Sequence, residues 1–358
     1  AVLLFASWGS KGHRKISQNL APNLPAGMAF LQPGWTDFVA AHASDADYRK
    51  SQDPDESPRH YIDIDNYPVF VLSGRIPHDY DSVVALYGYT FVTDQGILPW
   101  ATLRTYDSLK SCFSRGDWNR SALFAADLGH YVGDGHMPLH ITADYNGQLS
   151  GHYGIHSRYE STMIGKFESQ IIYSPVPAKH AGNVRQYIFN YLYENYRYVD
   201  SIFLADTYAL TTAGNTTSNA YYQALWEYSG PFTIRLMQNA SAALADLVYT
   251  AWVEAGSPRI YPNAIGESAE APHAGILNLF PNPVASGVEV DFTLAAPAQV
   301  TVTVVDCMGR TVGAMEEGKM EPGTHSVRFD AGRWDPGIYL CRFRAGSVTD
   351  TRRFIVSR

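Results

Sequence analysis

The chain contains 358 residues, of which 46% are hydrophobic and 17% are charged. A chain of this size can bury a substantial core, and at roughly 100 to 200 residues per domain we expect two domains. The formal net charge of −8 argues against a broad basic face that binds nucleic acid or anionic lipid by charge alone. Three cysteines are too few for a disulfide scaffold, and the Cys-x-x-Cys spacing of structural zinc and redox sites is absent.

The first seven residues form a short apolar run, AVLLFAS, which Trp8 follows. A membrane span needs about 20 apolar residues, so this run is too short to cross a bilayer. We interpret residues 1–7 as the remnant of a secretory signal peptide cleaved near Ser7, and the alternative is the first strand or helix of the fold. No later run is apolar enough to cross a bilayer, which predicts a soluble or peripheral protein.

Residues 8–262 carry apolar side chains at the three and four spacing of helices. The pattern is clearest in residues 121–132, 184–196 and 240–252. No run in this part of the chain alternates as a β-strand does. The sequence therefore predicts an all-α domain over residues 8–262.

Residues 276–358 have a different pattern, in which apolar and polar side chains alternate in runs separated by Gly, Pro and Asp. This pattern predicts a small antiparallel β-sandwich. Residues 263–275 are small, polar and weakly patterned, which predicts a linker between the two domains. Cys307 and Cys341 both fall within the predicted sandwich, where they either pair or remain buried thiols.

Two histidine–carboxylate pairs have the four-residue spacing that places both side chains on one face of a helix. They are His130 with Asp134 and His156 with Glu160, and His140 lies between them. One such pair alone is usually a solvated helix face. Zn²⁺ takes imidazole and carboxylate ligands where no thiolate is present, and helix bundles often carry such sites. The two pairs together predict a metal site.

Three further candidate ligands lie upstream, each flanked by polar or small residues rather than by an apolar stripe: His13, Asp47 and His60. Two of the candidate positions have close alternatives. Asp45 stands two residues before Asp47, and His152 stands four residues before His156. Of the two histidines, only His156 has a carboxylate four residues further on, which favours His156.

The ligand spacing resembles the superfamily that unites bacterial zinc-dependent phospholipase C with fungal single-strand-specific zinc nucleases. The motifs lie between Trp8 and about the end of the helical region and read Trp8-x4-His13, Asp47 followed by His60, His130-x3-Asp134-x5-His140 and His156-x3-Glu160. The resemblance implies a helical bundle that holds three zinc ions. It implies a first zinc on Asp47, His60, His130 and Asp134, and a second on His140, His156 and Glu160. The third would take His13, Asp134 and the backbone amine and carbonyl of Trp8, so the uncleaved chain would lack one metal.

The resemblance also implies a reaction, in which a metal-activated hydroxide attacks the phosphorus of a phosphoric diester. Asp47 is expected to act in catalysis as well as in metal binding. Asp63 and Asp65 follow His60 in the sequence HYIDID, so in an extended segment both would lie on one side. One of them would orient the nucleophile or a ligand histidine, and the alternative is a pair of turn-forming surface acids.

The substrate is expected to be a phospholipid head group or single-stranded nucleic acid. Glu160 and Tyr48 resemble the phospholipase branch, in which a tyrosine contacts choline. Lys11 stands where choline-preferring members carry an acid, and a lysine would repel a quaternary ammonium. Tyr61 could instead stack on nucleic acid bases. We expect a phospholipase C-like enzyme, with a single-strand-specific endonuclease as the alternative and an inactive surface binding protein as a third reading.

Residues 276–358 resemble the C-terminal sorting domain of proteins that the bacterial type IX secretion system exports. The shared features are, in order, FPNP at 280–283, DCMGR at 306–310, GIYL at 337–340 and RRFIV at 352–356. The resemblance implies export through the periplasm to the cell surface or the medium. It also implies the type IX machinery as a partner, and we expect the exported protein to be a monomer.

Overall fold

Two units of different secondary structure make up the chain, and the division falls between Ile260 and Tyr261. The computed structural model describes residues 8–51, 53–259, 275–280, 284, 287–294, 296–306, 308–346 and 348–357. The signal remnant at residues 1–7 and most of the linker at residues 263–275 lie outside the described residues, so both stay predictions.

The first unit is helical, as predicted, and its described residues contain no β-strand. Its α-helices are α1 (Gly9–Gln18), α2 (Leu20–Asn23), α3 (Gly34–Ala41), α4 (Asp45–Arg49), α5 (Pro68–Ser73), α6 (Tyr80–Tyr87), α7 (Tyr89–Asp94), α8 (Leu98–Ser114), α9 (Trp118–Asp134), α10 (Ile155–Ser157), α11 (Ile164–Phe167), α12 (Val184–Tyr196), α13 (Val199–Ala213) and α14 (Asn219–Glu254). Short 3₁₀ turns cover Ala26–Leu31, Ser57–His60, Ile64–Asn66, Pro138–His140 and Glu168–Gln170, and a π-helical turn covers Arg158–Met163. None of these helices is long and apolar enough to cross a membrane.

Helix α9 lies at the centre of the helical unit. Its N-terminus is capped by Asp117, whose side chain accepts a hydrogen bond from the backbone N–H of Arg120 at 3.2 Å, which satisfies one of the free N–H groups at the helix start. Every residue from 128 to 134 is buried, because α1, α3, α8 and α14 all contact this helix. The sequence therefore places His130 and Asp134 where water is excluded, and a buried charge there needs a partner.

Helix α14 is 36 residues long and connects two apolar clusters. Its N-terminal half packs with Trp8 and Tyr159, and its C-terminal half packs with Leu128 of α9. The side chain of Ser218 caps the helix by accepting a hydrogen bond from the backbone N–H of Tyr221 at 3.2 Å. This long helix gives the shorter elements that carry the candidate ligands a rigid support.

The second unit is an antiparallel β-sandwich, as predicted. Its strands are β1 (Gly275–Phe280), β2 (Gly287–Leu294), β3 (Ala298–Val305), β4 (Thr311–Met320), β5 (Gly323–Asp330), β6 (Gly337–Ala345) and β7 (Val348–Val356). One sheet has the order β1-β2-β5 and the other has the order β4-β3-β6-β7, with every neighbouring pair antiparallel.

Side chains from both sheets form one apolar core in this second unit. Every second residue of β2 is buried, which matches the alternation in the sequence. Phe292 of β2 packs on Phe343 of β6 with ring centroids 5.1 Å apart. Cys341 is a buried thiol in this core, whereas Cys307 lies outside the described residues, so their pairing stays a prediction.

Candidate metal centre

Four of the predicted ligands meet at the buried end of α9. His130 Nε2 lies 3.0 Å from His60 Nδ1 and 3.4 Å from Asp134 Oδ2, and His60 Nδ1 lies 3.0 Å from Asp134 Oδ2. Asp47 Oδ1 is 3.5 Å from His130 Nε2 and 3.6 Å from His60 Nδ1. Ligand atoms about 2.0–2.2 Å from a tetrahedral zinc are about 3.3–3.6 Å apart, so this spacing fits one ion.

Hydrogen bonds on the outer side of each imidazole fix which nitrogen faces the cluster. His130 Nδ1 is 2.8 Å from the carbonyl oxygen of Ala43, which requires a proton on Nδ1 and leaves Nε2 facing inward as an acceptor. His60 is turned the other way, because its Nε2 lies 3.3 Å from the carboxylate of Glu56 and its Nδ1 faces inward. The inward atoms are thus arranged to accept a cation.

In the metal-free protein, two histidines close to these carboxylates hold protons. Burial alone would lower the pKa of an imidazole, but Asp134 and Asp47 outweigh burial and raise the pKa of His130 to about 9. Burial opposes a charge on His140 as well, yet Asp134 and Glu160 raise the pKa of His140 to about 10. A metal ion would take the place of these protons, so its binding would release them.

A second group of donors lies beside the first. His140 Nε2 is 3.2 Å from His156 Nε2, and Glu160 Oε2 is 3.0 Å from His156 Nε2 and 3.5 Å from His140 Nε2. Both histidines direct Nδ1 at a backbone carbonyl, His140 at that of His60 (2.8 Å) and His156 at that of Tyr145 (3.0 Å). The two Nε2 atoms therefore face each other, and a cation bound between them would stabilise this arrangement.

The local structure around this second group differs from the regular helix that the four-residue spacing indicates. Helix α10 ends at Ser157, and the chain continues as a π-helical turn over Arg158–Met163. The His156 and Glu160 side chains still meet at 3.0 Å. Single π-turns inside helices are frequent at functional sites, and apolar spacing does not reveal them.

His13 lies beside Asp134 and His130. Its Nε2 lies 3.6 Å from Asp134 Oδ1, and its ring stacks on that of His130 with centroids 3.9 Å apart. Trp8 precedes α1, is fully buried, and donates its indole N–H to the backbone carbonyl of Gly133 at 2.7 Å. Asp134 thus directs Oδ2 at the first group, while its Oδ1 lies near both His13 Nε2 (3.6 Å) and His140 Nδ1 (3.3 Å).

The alternatives that the sequence left open are placed away from these groups. Asp45 accepts a hydrogen bond from His42 Nδ1 at 2.7 Å, and His152 Nδ1 pairs with Asp206 at 2.7 Å. Asp206 is itself buried and accepts a hydrogen bond from Arg158 at 2.9 Å. These five side chains pair with one another around the site rather than contributing donors to it.

A cavity of ≈ 180 Å³ reaches the first and second groups. It is lined by Lys50, Ser57, His60, Tyr61, Asp63, Leu139, His140, Tyr145 and His156. Lys50 was not predicted, because a single lysine in a polar stretch gives no signal of its own. Its Nζ donates to Asp47 Oδ1 at 2.7 Å, and the three-residue spacing from Asp47 is the sequence feature that could have identified it.

Asp63 and Asp65 have different surroundings, contrary to the extended segment that we expected. The chain turns into a 3₁₀ helix at Ile64, so the segment is not extended. Asp65 accepts hydrogen bonds from Thr142 Oγ1 at 2.5 Å and from the backbone N–H of Ala143 at 2.8 Å. It holds the segment after His140, whereas Asp63 lines the cavity.

The predicted substrate-contacting residues fall into two cavities. Tyr61 lines the cavity at the metal centre. Tyr48 is 67% exposed and lines a second, more polar cavity of ≈ 410 Å³ together with Lys11. There the Nζ of Lys11 pairs with the carboxylate of Glu168 at 2.9 Å. Of the three residues, Tyr61 is therefore the one with access to the candidate metal site in this structure.

The ionisation of Asp63 is expected to set a pH dependence in the metal-free protein. Burial and the nearby Asp65 raise the pKa of Asp63 to about 7, although His140 lowers it slightly. A carboxyl group whose pKa is raised on folding loses stabilisation as the pH rises through that value. The free energy of unfolding of the wild type should therefore fall more between pH 5 and 8 than that of Asp63→Asn.

Thermal unfolding of the chelated proteins at pH 5 and pH 8 measures this difference. The exposed Asp55 supplies the control, since Asp55→Asn should retain the pH dependence of the wild type. Parallel pH dependence in the wild type and Asp63→Asn would contradict the assignment of a raised pKa to Asp63.

Comparisons with known proteins give a match for the second unit. Residues 278–357 match the model of a family described as the secretion system C-terminal sorting domain. A search of curated proteins found no match to the chain.

Two solved structures of clostridial toxins are similar to the chain over nearly its whole length. The alpha-toxin of Clostridium perfringens, isolated from avian strain SWCP, is 10% identical with a TM-score of 0.42, and 98% of this chain and 99% of that chain are covered. The alpha toxin from Clostridium absonum is 9% identical with a TM-score of 0.39, and 99% of this chain and 98% of that chain are covered. Both TM-scores lie below 0.5, so the likeness alone does not establish an activity.

The family match confirms the type IX sorting domain that the sequence of the second unit predicted. It begins within β1 and ends one residue after β7, so it covers the second half of β1 and the whole of β2 to β7. Residues 278–357 are a secretion system C-terminal sorting domain, and the protein is exported by type IX secretion to the cell surface or beyond.

Proposed function

We propose that the helical unit is a zinc-dependent hydrolase of phosphoric diesters. One observation carries the proposal: among the described residues, three groups of histidine and carboxylate donors, all buried except the half-buried Asp47, lie side by side, and two of the groups reach a cavity. Their donor atoms are nitrogen and oxygen, which suits Zn²⁺ in the absence of thiolates. The hydrogen bonds at the outer nitrogens of His60, His130, His140 and His156 support the same assignment, because they orient each ring as a ligand.

The proposed ligand sets follow the three groups. Asp47, His60, His130 and Asp134 would hold the first zinc, and His140, His156 and Glu160 the second. His13, the second oxygen of Asp134 and the backbone amine and carbonyl of Trp8 would hold the third. Zinc bound in such a set lowers the pKa of water towards 7 and polarises phosphoryl oxygens.

Two side chains of the cavity suit the handling of a phosphodiester. Lys50 places a cation beside Asp47, where it can attract a phosphate oxygen. Asp63 lines the cavity without being one of the proposed ligands, and its raised pKa suits a group that takes a proton from water near neutral pH. Leu139 and Tyr145 form apolar walls that limit the access of bulk water.

A phospholipid head group is the substrate that we favour, on the resemblance of Glu160 to the phospholipase branch; Tyr48 lies in a separate cavity and does not add to this choice. A single-stranded nucleic acid is the second candidate, and one specific observation favours it. Tyr61 and Tyr145 both line the cavity at the metal centre, and aromatic rings in such a position can stack on bases without sequence preference.

Metal removal tests the proposed activity. Protein that begins at Trp8 should bind up to three zinc ions, one for each group of donors, and should hydrolyse a general chromogenic phosphodiester. Chelation should abolish hydrolysis, and zinc, but not magnesium, should restore it. A protein that holds no zinc, or whose hydrolysis survives chelation unchanged, would contradict the proposal. Parallel assays on phosphatidylcholine, phosphatidylethanolamine and single-stranded DNA then decide between the two substrate classes.

A further inference from the structure

Glu56 is a buried acid that is not among the proposed ligands. Its carboxylate is 1% exposed and lies four residues before His60, at the start of the 3₁₀ turn Ser57–His60. Oε1 is 3.3 Å from His60 Nε2 and accepts a hydrogen bond from the hydroxyl of Tyr131. Oε2 accepts from Arg49 Nε at 3.3 Å and from Arg59 at 3.1 Å. A buried carboxylate with partners on both oxygens is held in one orientation.

The partners of Glu56 come from three segments, and each segment carries proposed zinc ligands. Arg49 is two residues after Asp47 and ends α4. Tyr131 is in α9, directly after His130. Arg49 also reaches α9 itself, through Asp127 at 3.0 Å. The single carboxylate of Glu56 therefore connects all the segments that hold the first group of donors.

The contact with His60 determines the orientation of that imidazole. Arg49, Arg59 and the hydroxyl of Tyr131 all donate to the carboxylate of Glu56, so its oxygens act as acceptors in this pocket. An acceptor opposite Nε2 requires the proton of His60 on that nitrogen. Nδ1 is then left as the acceptor that faces His130 and Asp134. Without Glu56, His60 would be free to take the other tautomer or to turn its ring.

We propose that Glu56 is a positioning residue for the first zinc, which orients His60 to bind through Nδ1 and holds α4, the 3₁₀ turn and α9 together around the ion. The inference rests on the proposed zinc site. Loss of such an outer partner typically weakens metal binding by about 10 to 100-fold. Glu56→Gln keeps the size of the side chain but removes its charge, and Glu56→Ala removes the acceptor altogether.

Zinc affinity of the full exported chain, measured by competition with a chromogenic chelator, is the readout. We expect Glu56→Gln to weaken one of the zinc sites about tenfold and Glu56→Ala about 100-fold, with the other sites unchanged. Cobalt substitution adds a spectroscopic signature, because a rotated or lost imidazole changes the visible absorption of one Co²⁺ only. Tyr131→Phe should give a smaller effect of the same kind.

Glu254→Gln is the matched control, since Glu254 also accepts hydrogen bonds from a tyrosine, Tyr106, and from a lysine, Lys110, but contacts none of the proposed ligands. Its zinc affinities and cobalt spectrum should equal those of the wild type. Wild-type affinities and spectrum in both Glu56 variants would overturn the inference and leave the proposed function intact. A wild-type protein without zinc would overturn both. If Glu254→Gln lost as much zinc affinity as Glu56→Gln, the effect would reflect general stability, and the positioning role of Glu56 would be contradicted.

Discussion

Replacement of His130 by alanine should abolish the hydrolysis of phosphodiesters. His130 Nε2 lies within 3.5 Å of donor atoms from Asp47, His60 and Asp134, which are the other three members of the first group. Its ring also stacks on His13, whose Nε2 faces the other oxygen of Asp134. Loss of one side chain therefore disturbs two of the three proposed metal positions. We expect activity to fall more than about 100-fold, which is the upper end of the effect of losing an outer partner.

Zinc content and turnover are measured together in this variant. His180→Ala is the control, because His180 is 43% exposed and pairs with Glu254 rather than with a donor of the centre, and it should keep both the metal and the activity. The His130→Ala variant also distinguishes an enzyme from an inactive surface binding protein. A binding protein would show no turnover in the wild type either, and its interaction with a partner would survive the loss of His130.

The sequence predicted those parts of the centre in which spacing along the chain decides proximity. His130 and Asp134 are four residues apart on a regular helix, so their approach follows from helix geometry alone. The same rule predicts that His156 and Glu160 lie together, and they do meet, but through a π-helical turn that the spacing does not indicate. The alternation of the second unit predicted its sandwich, since a strand with one buried face must alternate.

The parts that the sequence did not reveal depend on contacts between distant segments. Glu56 lies in the polar stretch DPDESPRH and cannot be told from a surface acid until α9 is seen to cover it. It shares with the recognised pairs the four-residue spacing from a histidine, which was the available signal. The alternation in HYIDID predicts the same surroundings for Asp63 and Asp65, but the 3₁₀ turn that begins at Ile64 gives the two carboxylates different surroundings. Lys11 and Tyr48 were expected at the substrate, but the tertiary fold gives them a cavity of their own.

Gly133 of α9 should not tolerate alanine, although alanine normally stabilises a helix. A Cβ atom at this position would lie 2.7 Å from His13 Nδ1 and 2.8 Å from His13 Cε1. His13 is fully buried and stacked on His130, so it has no room to move aside. We expect Gly133→Ala to lose about 1–3 kcal/mol of stability through overpacking. We also expect it to lose the zinc that His13 would bind, and with that zinc most of the hydrolysis.

Gly165→Ala provides the matched control in α11. A Cβ atom at Gly165 would have no neighbour within 4 Å, so alanine should act there through helix propensity alone and stabilise the protein by about 0.5–1 kcal/mol. Thermal unfolding and zinc analysis of the two variants give opposite results if Gly133 is needed for the approach of His13 to α9. If Gly133→Ala kept its full zinc content and were as stable as Gly165→Ala, the close contact between His13 and Gly133 would be unimportant. That result would remove His13 from the proposed third site.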